Sequence, residues 1–496
     1  MTEPAAAGVA REREAVMPRI VPTPIAAPAA RPAEVPPRRV SADVLAAVLP
    51  GPARDRLAQG PVLVVTTGQQ PGLFTGPLYT VYKALSVLGL ARRIEREQGI
   101  PVVPVFWVAG DDHDFAEANH AWFLNAAGDP ASIVLRERSP EAPQLPLARE
   151  PCGPEIEAAL AGLRAATPDT EFKRGVLAWL EAAYRPEQTL ADAFAEALHA
   201  LLGARGLAVF RAHATPAKRA MAPWLLRALS ATLPDGLSPV LLEAGAGRDR
   251  LRLDGEASLT RRSGERFARA DIERIARDAP ERLSPNVLLR PVIEAALFPT
   301  VAYAGGASEL RYFPEAAPLY GVLGAGAPGD GPVPQAAVPR WSGVLVEARV
   351  SKVLDRYGLT LADLDGAPGA LKARLVRESL PPEVAGLFGE LRGRMEQDYA
   401  RLARAVATID PTLTARVETA RNAALGGTHD IERKLVAALK RVNETLVGQV
   451  ARARNAIYPR GKPQERVLTL ASFLVRYGPA LLEALEAEVA RWVEAS

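Results

Sequence analysis

The chain has 496 residues, 48% apolar and 24% charged, the balance of a globular protein of about two or three domains. Its 60 basic and 57 acidic side chains leave a net charge of +3, which gives no electrostatic case for nucleic acid or an anionic membrane as partner. The single cysteine, Cys152, excludes an internal disulfide and a cysteine-based metal cluster and fits a reducing cytoplasm, and no apolar run nears the ~18–20 residues of a membrane span.

Residues 1–40 are rich in Ala, Pro and Arg, carry acids at Glu3, Glu12, Glu14 and Glu34, and lack the apolar centre of a signal peptide. They read as a disordered tail, with a lead-in that extends to residue 60 and includes a short helix from Ser41. A valine-rich run, Val62 to Val65, then meets Thr66-Thr67-Gly68-Gln69-Gln70-Pro71-Gly72-Leu73-Phe74-Thr75-Gly76-Pro77. Apolar residues at Leu78, Val81, Leu85 and Leu88 follow at helical spacing, so the stretch predicts strand, Gly-rich turn and helix, the helix ending near Gln98 before Gly99. The free N–H groups of such a helix start favour an anion, which makes Thr75 and Gly76 candidate binding residues beside Gln69 and Gln70. The sequence has neither the dinucleotide nor the Walker pattern here.

A second run, Pro101 to Gly110, is apolar without alternation, as in a parallel strand buried on both faces; strand, helix, strand at this spacing is a right-handed βαβ unit. It ends in Asp111-Asp112-His113-Asp114. Ligands of open parallel sheets bind beyond the carboxyl ends of the strands, so these residues, with Gln69 and Gln70 at the neighbouring strand end, form the candidate catalytic group. His113 among carboxylates is expected to have a raised pKa and to do acid–base work near neutral pH, oriented by Asp111 or Asp114. The other reading is helix capping by one aspartate plus a surface histidine. Asn119 and His120 follow on the next element, where a metal site with Asp111 and His113, a ligand contact and an interior hydrogen-bonded histidine are all open; no metal is assigned. Lys83, two turns into the helix, either reaches a carboxylate or phosphate or is solvated.

Residues 121–190 are irregular and read as an insertion, and residues about 214–285 as a second one containing a hairpin near Leu251 and Leu259. Between them a helix (Leu190 to Leu202) leads to a third core strand at Gly206–Phe210. Core character returns at Val287–Pro291 and at Pro299–Tyr303; Arg290, Tyr303 and Glu309 are candidate binding residues there, Glu309 either capping its own helix or gripping a substrate ammonium group. Gly321–Pro339 reads as a linker. From 380 to 457 the apolar spacing averages near 3.6 with charged flanks, from Leu391, Met395, Tyr399, Leu402 and Val406 to Ile431, Leu435 and Leu439. This predicts an antiparallel helical hairpin or coiled coil turning at Asp410-Pro411, with Gly426-Gly427 as a weak point, and a further helical stretch up to Val493. The domain boundaries expected are 61–375 for the core, 376–460 for the coiled coil and 461–496 for the last helical segment.

The stretch Thr67-Gly68-Gln69-Gln70 with Gly72-Leu73-Phe74-Thr75-Gly76-Pro77-Leu78-Tyr79 and Tyr82-Lys83 resembles a signature of the bacillithiol biosynthesis cysteine-adding enzymes, the BshC family. Val105–Phe115 with Asn119-His120 is similar to that family's second motif. Ser284–Pro291 with Pro299–Gly306 is similar to its third, and Arg454-Asn455, Tyr458-Pro459 and Pro463–Arg466 to its fourth. The chain departs from the pattern at Ile293-Glu294-Ala295, where the family usually has Val-Gln-Asp. The resemblance implies an α/β fold with a Rossmann-like parallel-sheet core of the class I aminoacyl-tRNA synthetase type, two connective insertions and a coiled-coil domain supporting a homodimer. It also implies a cytoplasmic ligase that joins the carboxyl of cysteine to the amine of glucosaminyl-malate in the last step to bacillithiol. ATP is the simplest activator, although no nucleotide fingerprint is present. A nucleotidyl- or aminoacyl-transfer enzyme on the same core with another amino acid or acceptor is the alternative, and a non-catalytic scaffold is a third reading.

Overall fold

The two apolar runs after Gly60 and Pro101 are adjacent strands of one parallel sheet. The computed structural model describes residues 17–25, 31–324, 331–366, 368–378, 384, 386–442 and 444–495. The sheet has five strands: β1 (Leu63–Gln69), β2 (Val102–Val108), β3 (Ala208–Arg211), β4 (Thr300–Gly305) and β5 (Ala336–Pro339). Their order is β5-β4-β1-β2-β3, and every pairing is parallel. β2 is buried along its whole length, which is why its sequence shows no polar alternation. The chain winds outward from β1 through β2 to β3, then returns to the other side of β1 as β4. The reversal therefore falls between β1 and β4, and a crevice opens at their carboxyl ends. This is a Rossmann-like α/β core.

Helix α1 (Leu78–Gln98) covers the sheet and stops at Gly99, whose left-handed φ of 67° lets its N–H reach the Glu95 carbonyl at 2.9 Å. The bend between β1 and α1 places two residues with side chains, Phe74 (φ 53°) and Thr75 (φ 69°), in the left-handed region, an uncommon conformation for a β-branched residue. Remote partners hold it. The Thr75 N–H donates to the Tyr184 hydroxyl at 2.9 Å, that hydroxyl donates to the Gly72 carbonyl at 3.1 Å, and the Thr469 hydroxyl donates to the Phe74 carbonyl at 2.8 Å.

Two insertions leave the sheet. The first contains the hairpin His120–Leu124 with Pro130–Val134, then helices Glu155–Ala166 and Lys173–Ala183. After β3, helix α2 (Thr215–Ala228) packs Ala217, Met221, Ala222 and Leu225 into the core beside Phe210 and Trp107. The second insertion is then richer than a hairpin: a five-stranded antiparallel sheet ordered Arg266–Ala268, Ala257–Thr260, Gly247–Asp254, Val240–Ala244, Leu283–Pro285. Helix α3 (Arg290–Leu297) leads back to β4, and the short helix α4 (Ala307–Tyr312) follows it.

Two expectations need correction. Part of the expected disordered tail is ordered, since Arg19–Pro22 forms an antiparallel pair with Gly343–Val346; the short helix expected from Ser41 is present as Ala42–Ala47, and a second, Pro52–Gln59, follows it. Residues 1–16 and 26–30 of the expected tail lie outside the described residues. The Gly321–Pro339 segment is more than a linker, because Ala336–Pro339 completes the edge of the parallel sheet; its residues 325–330 lie outside the described ones.

The chain separates into two compact units: one holds the described residues up to Val346 and again from Lys462, the other spans Glu347–Gly461. In the second unit, helices Leu387–Ala407 and Thr414–Val442 form the long hairpin, turning where the Asp410 carboxylate accepts the Thr412 N–H at 2.9 Å. Arg392 pairs with Glu432 at 2.6 Å across it, an antiparallel register. The helix runs through Gly426-Gly427 without a break. Leu391, Leu402, Ile409, Leu413 and Ile431 remain exposed. Among the described residues no helix is long and apolar enough to cross a membrane.

Candidate active site

The crevice at the carboxyl ends of β1, β2 and β4 is a cavity of about 390 Å³. The β1 end contributes Gly68, Gln69 and Gln70; the turn after β2 contributes Asp111, Asp112 and His113; β4 and the flanking helices contribute Arg290, Tyr303, Glu309 and Tyr312; the inserted sheet closes one side with Arg248, Asn286 and Val287. Eight residues singled out in the sequence thus share one wall: Gln69, Gln70, Asp111, Asp112, His113, Arg290, Tyr303 and Glu309.

Each is fixed by its element. Asp111 receives the Lys218 ammonium at 2.5 Å; that side chain rises from α2, is wholly buried and also donates to the Leu283 carbonyl at 2.9 Å. Asp112 accepts the backbone N–H groups of His113 (2.7 Å) and Asp114 (3.2 Å), which forms the turn. Lys83 is buried behind the cavity rather than solvated or on its wall: its ammonium donates to the Gly68 carbonyl (2.8 Å) and Gln69 Oε1 (3.0 Å) and pairs with Glu309 at 2.7 Å. Glu309 caps α4 through the Gly306 N–H at 2.8 Å and also takes the Tyr303 hydroxyl. Burial by itself would raise the Glu309 pKa, but the Lys83 charge, with these hydrogen bonds, holds it below the usual carboxylate value. Glu309 is thus a helix cap and a cavity carboxylate at once.

Arg290 lies 4.8 Å over the Tyr303 ring and donates to Glu294 at 2.9 Å. Asn286 sets its approach by accepting the Leu288 and Leu289 N–H groups (3.1 and 2.8 Å) just before α3. Glu294 is fully buried and accepts the Thr66 hydroxyl at 2.5 Å and the Gln335 amide at 2.9 Å; burial pushes its pKa up to about 7.

The expected charge state of His113 is reversed. Its pKa is lowered: burial disfavours the imidazolium, and the Arg248 guanidinium, 3.5 Å from Nδ1, adds to that effect. Asp112 and Asp114 pull the other way and are outweighed. A neutral imidazole is therefore the prevailing form at pH 7.

Other candidates fall outside the cavity wall. Thr75 is buried with its N–H spent on Tyr184, and the Leu78 N–H at the start of α1 donates to the Leu468 carbonyl at 2.8 Å. The anion cradle expected at Thr75 and Gly76 is therefore filled by protein groups. Asp114 caps the short helix Phe115–Ala118, accepting the Glu117 N–H at 3.0 Å. Asn119 donates to the Arg136 carbonyl at 2.7 Å, and His120 Nδ1 meets the Ala116 carbonyl at 2.9 Å. Among the described residues no three His, Cys, Asp or Glu side chains gather as a metal-holding group. The residues that sequence reasoning passed over are Arg248 and Lys218, while Glu294 entered only as a departure from the family pattern and Tyr312 only as the end of the cluster that begins at Tyr303. Of the two passed over, Lys218 carried a signal, since it lies on the apolar face that Ala217, Met221 and Leu225 define.

Comparison with known proteins agrees with this architecture. Residues 53–234 and 241–328 match the model of the family described as bacillithiol biosynthesis BshC, N-terminal Rossmann-like domain, and residues 343–490 match the BshC C-terminal coiled-coil domain. Two similar relatives, from Salinibacter ruber and Solibacter usitatus, bear the name "Putative cysteine ligase BshC". The first is 33% identical over 449 residues, 85% of this chain and 80% of its own; the second is 32% identical over 448 residues, 86% and 82%. A third of the same name, from Symbiobacterium thermophilum, is 30% identical over 476 residues, 87% of this chain and 83% of its own.

Proposed function

The chain belongs to the BshC family of bacillithiol biosynthesis, and from that premise we propose that it is a carbon–nitrogen ligase that joins the carboxyl of cysteine to the amine of glucosaminyl-malate, the last step to bacillithiol. The ligase class rests on the cysteine ligase name its relatives carry. The observation that carries the reading is the cavity at the strand reversal, where carboxylates, a neutral imidazole and an arginine converge.

The cavity suits two small charged substrates. Asp112 supplies negative charge for an ammonium group, and Asp111 and Glu309, whose charges are already met by Lys218 and Lys83, add acceptor oxygens; Arg290, stacked on Tyr303, supplies a planar donor for a carboxylate. Gln69, oriented by Lys83 and by its own 3.2 Å bond to the Tyr79 hydroxyl, offers a neutral amide between them. A carboxylate does not acylate an amine unaided, and we assign its activation to ATP. No step is assigned to the Thr75–Leu78 bend, whose N–H groups are occupied. His113 stands at the reacting carbonyl. The exposed apolar residues on the Leu387–Val442 hairpin support a homodimer through the coiled coil, and a thiol biosynthetic ligase with one buried cysteine fits the cytoplasm.

The test is His113→Ala. Product formation from cysteine, glucosaminyl-malate and ATP should fall at least about 100-fold with an unchanged melting temperature. A wild-type rate in a folded variant would remove His113 from the chemistry.

A further inference from the structure

Arg248 belongs to the inserted antiparallel sheet, 135 residues along the chain from His113, yet it lines the same cavity. Every arm of its guanidinium is engaged. Nε donates to the Ser284 hydroxyl at 2.9 Å, one terminal nitrogen donates to the Pro285 carbonyl at 2.8 Å, and the other faces His113 Nδ1 at 3.5 Å. These anchors leave it little freedom to swing away. A guanidinium has donors and no acceptor, so the imidazole nitrogen that faces it must present a lone pair.

We infer that Arg248 is a positioning residue that holds His113 in the neutral tautomer with the hydrogen on Nε2, so that His113 acts toward substrate as a hydrogen-bond donor. A proton on Nδ1 would oppose two donors. An imidazolium would also set two cations together in a site partly closed to water. The charges around the ring are mixed: Asp112 (Oδ1 4.0 Å from Nδ1) and Asp114 on its own turn, Arg248 on the inserted sheet and Arg262 in the turn after its strand Ala257–Thr260, and Arg138, which donates to the His113 carbonyl at 3.3 Å. Arg248 stands 3.5 Å from Nδ1 and has nothing to accept a proton. The consequence deepens the proposed function and rests on it: at the reacting carbonyl, a neutral N–H stabilises the oxygen that gains negative charge when the amine attacks. The proton-acceptor role expected from the neighbouring aspartates does not suit this tautomer.

Histidine-ring NMR on the free protein tests the tautomer without any substrate, so it stands or falls apart from the ligase reading. The chain has five histidines, and His113→Gln identifies the signal by its loss. The wild-type His113 ring should show the Nε2–H nitrogen pattern at neutral pH and titrate below the ordinary histidine midpoint. In Arg248→Gln the midpoint should rise, while Arg248→Lys, which keeps the charge, should stay near wild type and the other four ring signals should stay in place. An Nδ1–H pattern in the wild type overturns the inference, as does a His113 midpoint in Arg248→Gln equal to the wild-type one. If Arg248→Gln does not fold, the wild-type tautomer decides alone.

Discussion

Replacing Glu294 by glutamine should remove a pH dependence of stability that the wild type carries. The carboxyl is fully buried, accepts Thr66 and Gln335 through one oxygen and Arg290 through the other, and has its pKa pushed from the usual 4.5 up to about 7, burial outweighing the Arg290 charge. The fold therefore binds this proton more tightly than the unfolded chain does. Its contribution is fully present below pH 4.5 and is lost as the pH rises through 7. The gap between the two states corresponds to ~3 kcal/mol. Glutamine keeps an acceptor for Thr66 and does not titrate. Urea denaturation of both proteins at steps from pH 5 to pH 8.5 measures the effect. The advantage of wild type over Glu294→Gln should shrink by up to ~3 kcal/mol across that range, most of it below pH 7.5. A difference that stays constant with pH would mean that Arg290 keeps the carboxylate ionised throughout and would refute the reasoning.

Lys218→Met strands the Asp111 carboxylate and should cost ~3 kcal/mol in urea denaturation, with part of the loss recovered in the Asp111→Asn/Lys218→Met double variant; single losses that simply add would contradict a coupled pair. Gly110→Ala would place a Cβ 2.3 Å from His213 Nδ1 and 2.9 Å from the Ala191 Cβ, in a spot where Asp192 tethers the His213 ring at 3.1 Å. A loss of about 1–3 kcal/mol in thermal or urea denaturation is expected, and an unchanged melting temperature would show that the ring can yield.

What the sequence made legible follows from locality. β1 and β2 announce themselves as continuous valine-rich runs because both faces are covered, and the polar residues placed directly after them had to emerge at the sheet's carboxyl edge. That put Gln69, Gln70, Asp111, Asp112 and His113 in one wall, and the same logic at β4 brought Tyr303 and Glu309. β5 escaped notice because four residues, Ala336–Pro339, in a proline-rich stretch carry no pattern of their own; their pairing with β4 makes them a strand. The Thr75–Gly76 bend was misjudged for a related reason. Whether an N–H is free depends on Tyr184 and Leu468, which arrive from other parts of the chain. The sign of the His113 shift was hidden because the acids are its sequence neighbours, whereas the burial that dominates the shift and the Arg248 charge that adds to it come from packing by remote parts of the chain. The family pattern supplied the overall architecture, while the roles of Lys83, Lys218 and Arg248 required the packing.

The proposed joining of cysteine to glucosaminyl-malate in this cavity can be observed as a product. Purified protein incubated with cysteine, glucosaminyl-malate and ATP, with the thiol product followed by mass spectrometry, addresses it most directly. A product with the mass of the cysteinyl amide should appear only when all three are present. No such product from folded wild-type protein, or joining of a different amino acid in preference to cysteine, would contradict it.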